Sequence, residues 1–367
     1  MHFTIQREAL LKPLQLVAGV VERRQTLPVL SNVLIKVESR QLSLTGTDLE
    51  VELVGRVELA AEAQAGEITV PARKLLDICK SLPSESQIDM RLEGERLLVK
   101  AGRSKFTLST LPAHDFPAVQ ADGDEKSISV PQGKLRRLIE RTSFAMAQQD
   151  VRYYLNGMLL EVTAGQLRVV ATDGHRLAMS VFQTAVEVDG SQQVIVPRKG
   201  ILELARLLTA PEEFVTIVLG QHHIRAMTGD FTFTSKLVDG KFPDYQRVLP
   251  RNGDKIVTAG RQSLREALSR TAILSNEKYR GIRLVLAANL LKIQANNPGQ
   301  EEAEEEVQVD YNGTSMEVGF NVSYLLDVLG VMTADKVRIT LADANSSALL
   351  QEADNSDSTY VVMPMRL

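Results

Sequence analysis

Apolar and polar residues follow a pattern along the chain that occurs three times. Its first component is a stretch with apolar residues at helical spacing, such as Leu135, Leu138, Ile139 and Thr142, which share one face of a helix. These stretches are residues 3–21, 128–146 and 256–274. The pattern predicts an amphipathic helix at the start of each copy.

The second component is a pair of segments in which apolar and polar residues alternate. The pairs are 32–38 with 41–48, 156–162 with 166–173, and 281–286 with 289–294. Period-two alternation around short polar turns is typical of β-hairpins. Further alternating segments end each copy, at 87–111, 214–237 and 337–363.

The third component is an alternating segment that leads directly into a short helical one. It covers residues 68–79, 194–204 and 318–328. Pro71 and Pro197 lie where the strand should end and the helix begin, and proline is well tolerated in the first turn of a helix.

Equivalent landmarks are separated by 124 to 128 residues, and one third of the 367 residues is about 122, so three copies account for the whole chain. The sequence therefore predicts an α+β fold with three tandem helix–strands–helix–strands domains. The expected domain bounds are 1–122, 127–250 and 254–367, with linkers at 120–126 and 250–255.

The distribution of charge changes what the total charge suggests. The chain has 42 basic and 46 acidic residues, a net charge of −4 that argues against a nucleic-acid-binding protein. The six predicted helical stretches, counted as residues 5–24, 71–83, 131–149, 197–209, 261–280 and 321–334, however, hold 19 basic and eight acidic residues, a surplus of 11, which leaves −15 for the rest of the chain. Lysine and arginine are good helix formers, but so is glutamate, which these stretches under-use. The pattern favours helices that face a polyanion and strands that face water.

Several classes of protein do not fit the composition. No apolar run approaches the roughly 20 residues that span a bilayer, and the first residues lack the basic-then-apolar order of a signal peptide. A single cysteine, Cys79, allows no intrachain disulfide. We therefore expect a cytoplasmic protein that does not interact with membranes.

No group of residues has the arrangement of a catalytic site. Asp173 and His175 could form an acid–base pair, but the same Thr-Asp dipeptide occurs at 47–48 in a hairpin, so a turn is favoured. Cys79 follows apolar helix positions and should be packed rather than reactive. We therefore expect no enzyme activity and no cofactor.

Metal binding is also not expected. His222 and His223 are adjacent, so in a strand their side chains would point to opposite faces. The acidic run at 301–306 lacks the spacing of a calcium loop, and a solvated loop is the preferred interpretation.

The C-terminal segment, residues 360–367, is apolar almost to its end. It could be a final strand buried in its own domain. Alternatively, Met363 and Met365 beside Pro364 could line a deformable groove that accepts a peptide. The sequence pattern leaves both possibilities open.

Five motifs, spread over all three copies, resemble those of the bacterial DNA polymerase III beta subunit family, the sliding clamps. They are Leu-Ser-Asn at 30–32, Thr-Asp-Gly-His-Arg-Leu at 172–177, Ser-Lys-Leu-Val-Asp-Gly-Lys-Phe-Pro-Asp-Tyr at 235–245, Ile-Leu-Ser-Asn-Glu-Lys-Tyr-Arg at 273–280 and Val-Val-Met-Pro-Met-Arg-Leu at 361–367.

The resemblance implies a homodimer that forms a ring of six domains, with helices inside and sheets outside. Such a ring encircles double-stranded DNA without sequence preference and has no catalytic activity. It gives the replicative polymerase processivity in the cytoplasm, associated with the nucleoid. Implied partners are the polymerase alpha subunit, the clamp loader, and other polymerases and repair proteins that bind through short peptide motifs. A triplicated DNA-binding protein that forms no ring and a nucleotide-processing enzyme are the alternatives.

The resemblance also implies roles for individual residues. DNA contacts would be Arg24, Arg73, Gln149, Tyr153 and Tyr154. The partner-peptide cleft would use Leu155, Thr172, Gly174, His175, Arg176, Leu177, Pro243, Arg247, Val248, Val361, Met363, Pro364, Met365 and Arg366. The dimer interface would place Ile273 and Leu274 of one chain against the strand from Phe106 to Leu108 of the other.

Overall fold

The computed structural model describes residues 1–22, 27–117, 119, 126–184 and 190–366. The chain forms two compact units. Unit 1 comprises Met1–Gly133 and Lys199–Leu237, and unit 2 comprises Lys134–Arg198 and Val238–Leu367. The middle copy of the repeat therefore contributes to both units.

The described residues form six α-helices, two in each copy. They are α1 (Arg7–Val20), α2 (Ala72–Ser81), α3 (Gln132–Thr142), α4 (Arg198–Leu207), α5 (Arg261–Thr271) and α6 (Val322–Val331). None of these helices combines the length and the apolar character needed to cross a membrane.

In the described part of the chain, each copy also contributes eight β-strands. The first copy contains β1 (His2–Gln6), β2 (Asn32–Glu38), β3 (Gln41–Thr47), β4 (Val51–Glu58), β5 (Gly66–Pro71), β6 (Gln87–Glu93), β7 (Arg96–Ala101) and β8 (Ser104–Ser109). The second contains β9 (Lys126–Pro131), β10 (Gly157–Thr163), β11 (Gln166–Thr172), β12 (Arg176–Gln183), β13 (Gln192–Pro197), β14 (Phe214–Leu219), β15 (His223–Thr228) and β16 (Phe231–Lys236). The third contains β17 (Lys255–Gly260), β18 (Gly281–Ala287), β19 (Leu290–Asn296), β20 (Glu302–Asp310), β21 (Met316–Asn321), β22 (Lys336–Leu341), β23 (Ala348–Glu352) and β24 (Asn355–Val362).

The triplicated α+β organisation is confirmed, with one addition to each copy. A short strand, β1, β9 or β17, precedes the first helix and pairs with the sixth strand of the same copy. In β1 only Phe3 and Ile5 alternate with polar residues before the helical spacing begins, so the sequence pattern merged strand and helix. The bounds of the three domains remain a prediction.

The acidic run at 301–306 was wrongly expected to be a solvated loop. Most of it belongs to β20, which pairs along its length with β19. Neighbouring cations offset its charge: Lys292 Nζ lies 2.9 Å from a Glu304 carboxylate oxygen, and Arg270 Nε lies 2.6 Å from one of Glu305. Cross-strand and helix partners of opposite charge allow glutamates in a strand that β-propensity alone disfavours.

Unit 1 contains two antiparallel sheets. One has the strand order β1-β6-β7-β8, and the other β5-β2-β3-β4-β16-β15-β14-β9. The second sheet joins two copies of the repeat through the pairing of β4 with β16.

Unit 2 contains one sheet of twelve strands, in the order β13-β10-β11-β12-β24-β23-β22-β17-β20-β19-β18-β21. Here the pairing of β12 with β24 joins the second and third copies. We call the β4–β16 pairing the first joint and the β12–β24 pairing the second joint.

Candidate partner-binding cleft

The second joint contains Arg176, Leu177 and Val361 of the residues expected to form a cleft, and several others lie in the segments that adjoin it in sequence. Leu177 pairs with Val361 across it, and both side chains are buried. The main chain continues the pairing past the strands, because the N–H of Met363 donates to the carbonyl of His175 over 2.9 Å. The C-terminal segment is thus held along the turn that precedes β12.

That turn depends on Asp173 and Gly174. A carboxylate oxygen of Asp173 accepts hydrogen bonds from the N–H groups of His175 and Arg176, as expected for a turn residue rather than a catalytic acid. Gly174 has φ +90°, and a Cβ atom there would lie 2.9 Å from the guanidinium of Arg152. A side chain at this position would be strained, and it would displace the end of the Arg152 side chain.

An apolar cluster spreads from the Leu177–Val361 pair. Its buried members are Leu159, Val170, Leu177, Ile195, Phe242, Tyr245 and Val361. Half-buried residues that pack against it are Tyr154, Met179, Val238, Val248, Leu249 and Leu349. Exposed or half-buried apolar side chains beside a buried platform are the usual composition of a peptide-binding groove.

The segment 242–249 is attached to the sheet by a polar anchor. The Tyr245 hydroxyl donates to a Glu161 carboxylate oxygen over 2.7 Å, and Arg168 and Gln193 also donate to that carboxylate. Burial raises the pKa of Glu161, but these hydrogen bonds and the charge of Arg168 outweigh it and hold the pKa below its usual value. The ionised carboxylate therefore keeps this segment in place at neutral pH.

Arg176 is occupied by its own surroundings. Its guanidinium donates to Asp173, Asp327 and the carbonyl of Phe144, and it lies 4.6 Å from the ring centre of Tyr324. Only 12% of the Arg176 side chain is exposed, and its contacts with Asp327 and Tyr324 link β12 to α6.

The C-terminal segment begins as a buried strand and then becomes partly exposed, and its role in a peptide-binding groove remains a prediction. Val361 and Val362 are buried in β24, whereas Met363 is 38% exposed. Beyond it, Pro364 and Met365 are half-buried, and the Met365 N–H donates to the carbonyl of Gly319 over 2.9 Å.

Of the remaining expected cleft residues, Val248 packs against the apolar cluster. Thr172 accepts a hydrogen bond from the Gly174 N–H and donates to the carbonyl of Arg176. Leu155 is buried, with 2% exposed. The other positions, all exposed, are Pro243, Arg247 and Arg366.

Sequence patterns did not assign several cluster members to the cleft. Ile195, Phe242 and Tyr245 are distant from Leu177 along the chain, and only the sheet register and the 242–249 segment bring them together. The motif Phe242-Pro243-Asp244-Tyr245 contained a signal, since two aromatic residues flank a proline outside any predicted element. His175 and Tyr324 stack at 6.4 Å between ring centres, which no local pattern predicts.

The expected DNA contacts are partly described. Arg73 is exposed on α2 in unit 1, and Arg24 lies outside the described residues. In unit 2, Gln149 is exposed at φ 56°, and Tyr153 is 56% exposed. Tyr154 instead packs against the apolar cluster, with its ring edge-on to Tyr153. Their roles in DNA binding remain predictions.

The helices keep a surplus of basic residues with their observed bounds. They hold 15 basic and six acidic residues, a surplus of nine. Not all of this charge is available to a ligand, because Arg141 is buried in a salt bridge with Glu352 and Arg270 pairs with Glu305. On α2, by contrast, Arg73, Lys74 and Lys80 are all exposed.

The expected interface residues lie at two separate edges. Phe106 and Leu108 are in β8, an end strand of its sheet, with Phe106 half-buried and Leu108 7% exposed. Ile273 is 75% exposed in a short 3₁₀ turn, Ala272–Leu274, that follows α5. Their contact across a dimer remains a prediction.

The single cysteine, Cys79, is buried. Burial raises the pKa of the Cys79 thiol to about 11, so the nucleophilic thiolate is scarce at neutral pH. Among the described residues, no three His, Cys, Asp or Glu side chains are grouped as a metal site would need.

Comparisons with known proteins cover all three copies. Family models match the N-terminal domain of the DNA polymerase III beta subunit at residues 1–120, its central domain at 129–244 and its C-terminal domain at 246–366. The beta sliding clamps of Pseudomonas putida and Escherichia coli K12 are 75% and 54% identical to the chain over 367 residues, covering 100% of both sequences in each case. A crystal structure of a sliding clamp from Pseudomonas aeruginosa bound to griselimycin shares 75% identity and a TM-score of 0.98, again with 100% of both chains covered.

Proposed function

The chain belongs to the family of DNA polymerase III beta subunits, the beta sliding clamps, and we propose that two copies of it close into a ring around double-stranded DNA. In this proposal the ring slides without sequence preference, catalyses no reaction and tethers the replicative polymerase through the cleft at the second joint. The clamp loader and other polymerases and repair proteins bind the same cleft by short peptides. The protein works in the cytoplasm on nucleoid DNA.

The observation that carries the proposal is the identical register of the two joints. At the first joint, the Lys236 N–H donates to the Glu50 carbonyl, and at the second, the Met363 N–H donates to the His175 carbonyl. The donors are separated by 127 residues and the acceptors by 125, and the paired strands keep the same offsets. A copy of the repeat therefore has one fixed way to join the next.

If these offsets continue, a third joint forms between β20 of one chain and β8 of another. Within the described sheets, β8 is an end strand, and β20 pairs with β17 only through Val309 and Asp310. The shared register would place Ala303 opposite Phe106 and Glu304 opposite Lys105. Two strand edges of complementary charge and open hydrogen-bonding groups favour association with a second copy.

A side-chain contact at the second joint supports the same interface. The rings of Phe144 and Tyr360 lie 6.0 Å apart, between the 3₁₀ turn after α3 and strand β24. The equivalent positions are Ile273, after α5, and Phe106, in β8. The exposed Ile273 would thus cover Phe106 of the other chain.

The dimer is tested by sedimentation. The wild-type protein should have twice the chain mass of 40.5 kDa. Lys105→Glu should weaken the dimer at low salt by placing like charges opposite each other, and the double variant Lys105→Glu/Glu304→Lys should restore it. A monomeric wild type, or no rescue by the double variant, would contradict this interface.

Encirclement is tested with DNA of two topologies. After loading with the clamp loader, the protein should remain on a nicked circular plasmid through gel filtration in about 0.5 M NaCl, because a closed ring is held on a circle by topology, whereas salt screens its charge contacts with the phosphates. It should leave the same plasmid once a restriction enzyme has linearised it. Equal release from both forms would leave a non-ring DNA-binding protein as the explanation.

A further inference from the structure

A pocket of about 250 Å³ lies beside the apolar cluster of the second joint, outside the residues expected to contact a partner. Its lining residues are Arg168, Met179, Tyr245, Gln246, Leu249 and Arg251. Tyr245, Met179 and Leu249 also belong to the apolar cluster or pack against it, so the pocket and the cluster are continuous. A peptide bound over the cluster would therefore have the pocket beside it.

The wall of the pocket is rigid. Arg168 donates to Glu161 over 2.6 Å and to Tyr245 over 2.7 Å, and its second terminal nitrogen donates to Gln166 over 2.7 Å. Its Nε atom is buried without a hydrogen-bond partner. The guanidinium is therefore fixed by its neighbours and retains an unused donor.

The charges around the pocket leave an excess of one positive charge. Glu161 offsets Arg168, and Asp244 offsets Arg247, whose Nε lies 2.8 Å from a carboxylate oxygen of Asp244. Arg251 is exposed and forms no salt bridge with an acid in the described part of the chain. The exposed guanidinium of Arg251, in the lining of the pocket, is complementary to a carboxylate.

We propose that this pocket binds an acidic side chain, Asp or Glu, that lies next to the apolar anchors of a peptide bound in the cleft. The apolar lining from Met179 and Leu249 would hold the methylene groups of that side chain, and Arg251 would pair with its carboxylate. The pocket would then distinguish among partners that share the same apolar anchors. This inference rests on the proposed function of the cleft.

The test is a substitution scan of a labelled 12-residue peptide from the C-terminal tail of the cognate replicative polymerase. Each residue that flanks its apolar anchors is changed in turn to Asp or to Asn, and affinity is measured by fluorescence anisotropy at about 50 mM and 500 mM NaCl. At one flanking position the Asp peptide should bind wild-type protein about three- to five-fold more tightly than the Asn peptide at low salt, as for a partly exposed ion pair. The preference should shrink at high salt.

The variant Arg251→Gln should reduce that Asp preference to below about 1.5-fold. Lys241→Gln removes the same charge from an exposed position that does not line the pocket, and should keep the preference. Arg251→Glu should reverse it in favour of a Lys peptide.

The outcomes separate this inference from the proposed function. If the parent peptide does not bind at all, the cleft itself is wrong. Alternatively, the parent peptide binds without an Asp preference, or with a preference that is equal in wild type, Arg251→Gln and Lys241→Gln. Either result would overturn only the proposal that this pocket binds an acidic side chain.

Discussion

The first and second joints have the same backbone register but opposite distributions of polarity. On the face away from the helices, the first joint pairs Glu52 with Thr234, and the second pairs Leu177 with Val361. A cleft thus arises from a small set of side chains on a scaffold that occurs twice in the chain.

The face toward the helices shows the reverse difference. At the first joint Gly55 lies beneath Phe231 and Pro13, an apolar contact. At the second joint Ser180 and Ser358 share a hydrogen bond, and Arg141 donates to Glu352 and Ser358. The second joint, where we propose that partners bind, is thus held by buried polar groups on its helix side.

The largest effect should come from breaking the buried ion pair at the second joint. Arg141 and Glu352 form two 3.0 Å hydrogen bonds with under 5% of either side chain exposed. Glu352→Ala should lower the free energy of unfolding by about 3–5 kcal/mol, because Arg141 would stay buried without its partner. Urea unfolding measures this, and the double variant Arg141→Met/Glu352→Leu should recover most of the loss. An unaffected Glu352→Ala protein would refute this account of the joint.

The same pair should respond to acid. Burial raises the pKa of Glu352, but hydrogen bonds from Arg141 and from the Thr333 and Ala334 N–H groups outweigh it and lower the pKa to about 2. A lowered pKa stabilises the fold above the usual value of 4.5, and that contribution disappears as pH falls toward 2. Unfolding of the double variant should therefore be less sensitive to pH between about 4.5 and 2 than that of the wild type.

A smaller loss of stability is expected when a side chain is added at the first joint. A Cβ atom at Gly55 would lie 3.1 Å from both Phe231 and Pro13, so Gly55→Ala should cost about 1–3 kcal/mol of stability. Gly330→Ala is the control, since nothing lies within 4 Å of its Cβ and helix propensity should make it stabilising by about 0.5–1 kcal/mol. Thermal unfolding compares them, and equal melting temperatures would mean that the first joint is not tightly packed.

Replacing an apolar residue of the second joint with a polar one, as at the first joint, should weaken peptide binding to the cleft. Leu177→Gln should weaken binding of the polymerase-tail peptide about ten-fold, because the apolar anchor would meet a polar side chain. The matched variant Glu52→Gln changes the equivalent position at the first joint and should leave peptide affinity unchanged. Affinity is measured by anisotropy on folded protein. Equal affinities of both variants would show that Leu177 does not contribute to peptide binding.

The smallest effect concerns the carboxyl group of Glu52. Burial raises its pKa, against the hydrogen bond from the Val119 N–H and the charge of Arg225. Since the folded chain holds this proton more tightly than the unfolded chain, ionisation costs stability as pH rises. Glu52→Gln should therefore raise stability more at pH 8 than near pH 5, as measured by urea unfolding at both pH values. A gain that is independent of pH would point to a cause other than ionisation.

The sequence was sufficient for the parts of the fold that depend on local pattern. Strand β2 begins and ends where alternation predicted it, at Asn32 and Glu38, and Pro71 marks the change from β5 to α2. The turn role of Asp173 was also predictable, because its Thr-Asp dipeptide recurs in the first copy.

The errors and omissions come from interactions between distant residues. The glutamates of β20 form a strand because Lys292 and Arg270 neutralise them, and neither partner is near in sequence. The cleft residues came from family resemblance, whereas Ile195 and Tyr245 required the sheet register. The reversal of polarity between the joints needed both strands of each pair to be known.

Because hydrogen-bonded sheets run across the borders between copies, the repeat in the sequence is a poor guide for dividing the chain. A fragment limited to the middle copy would lose β4 from the edge of β16 and β24 from the edge of β12. Each exposed edge would offer a free row of N–H and C=O groups to any other strand. Isolated single copies should therefore aggregate during expression.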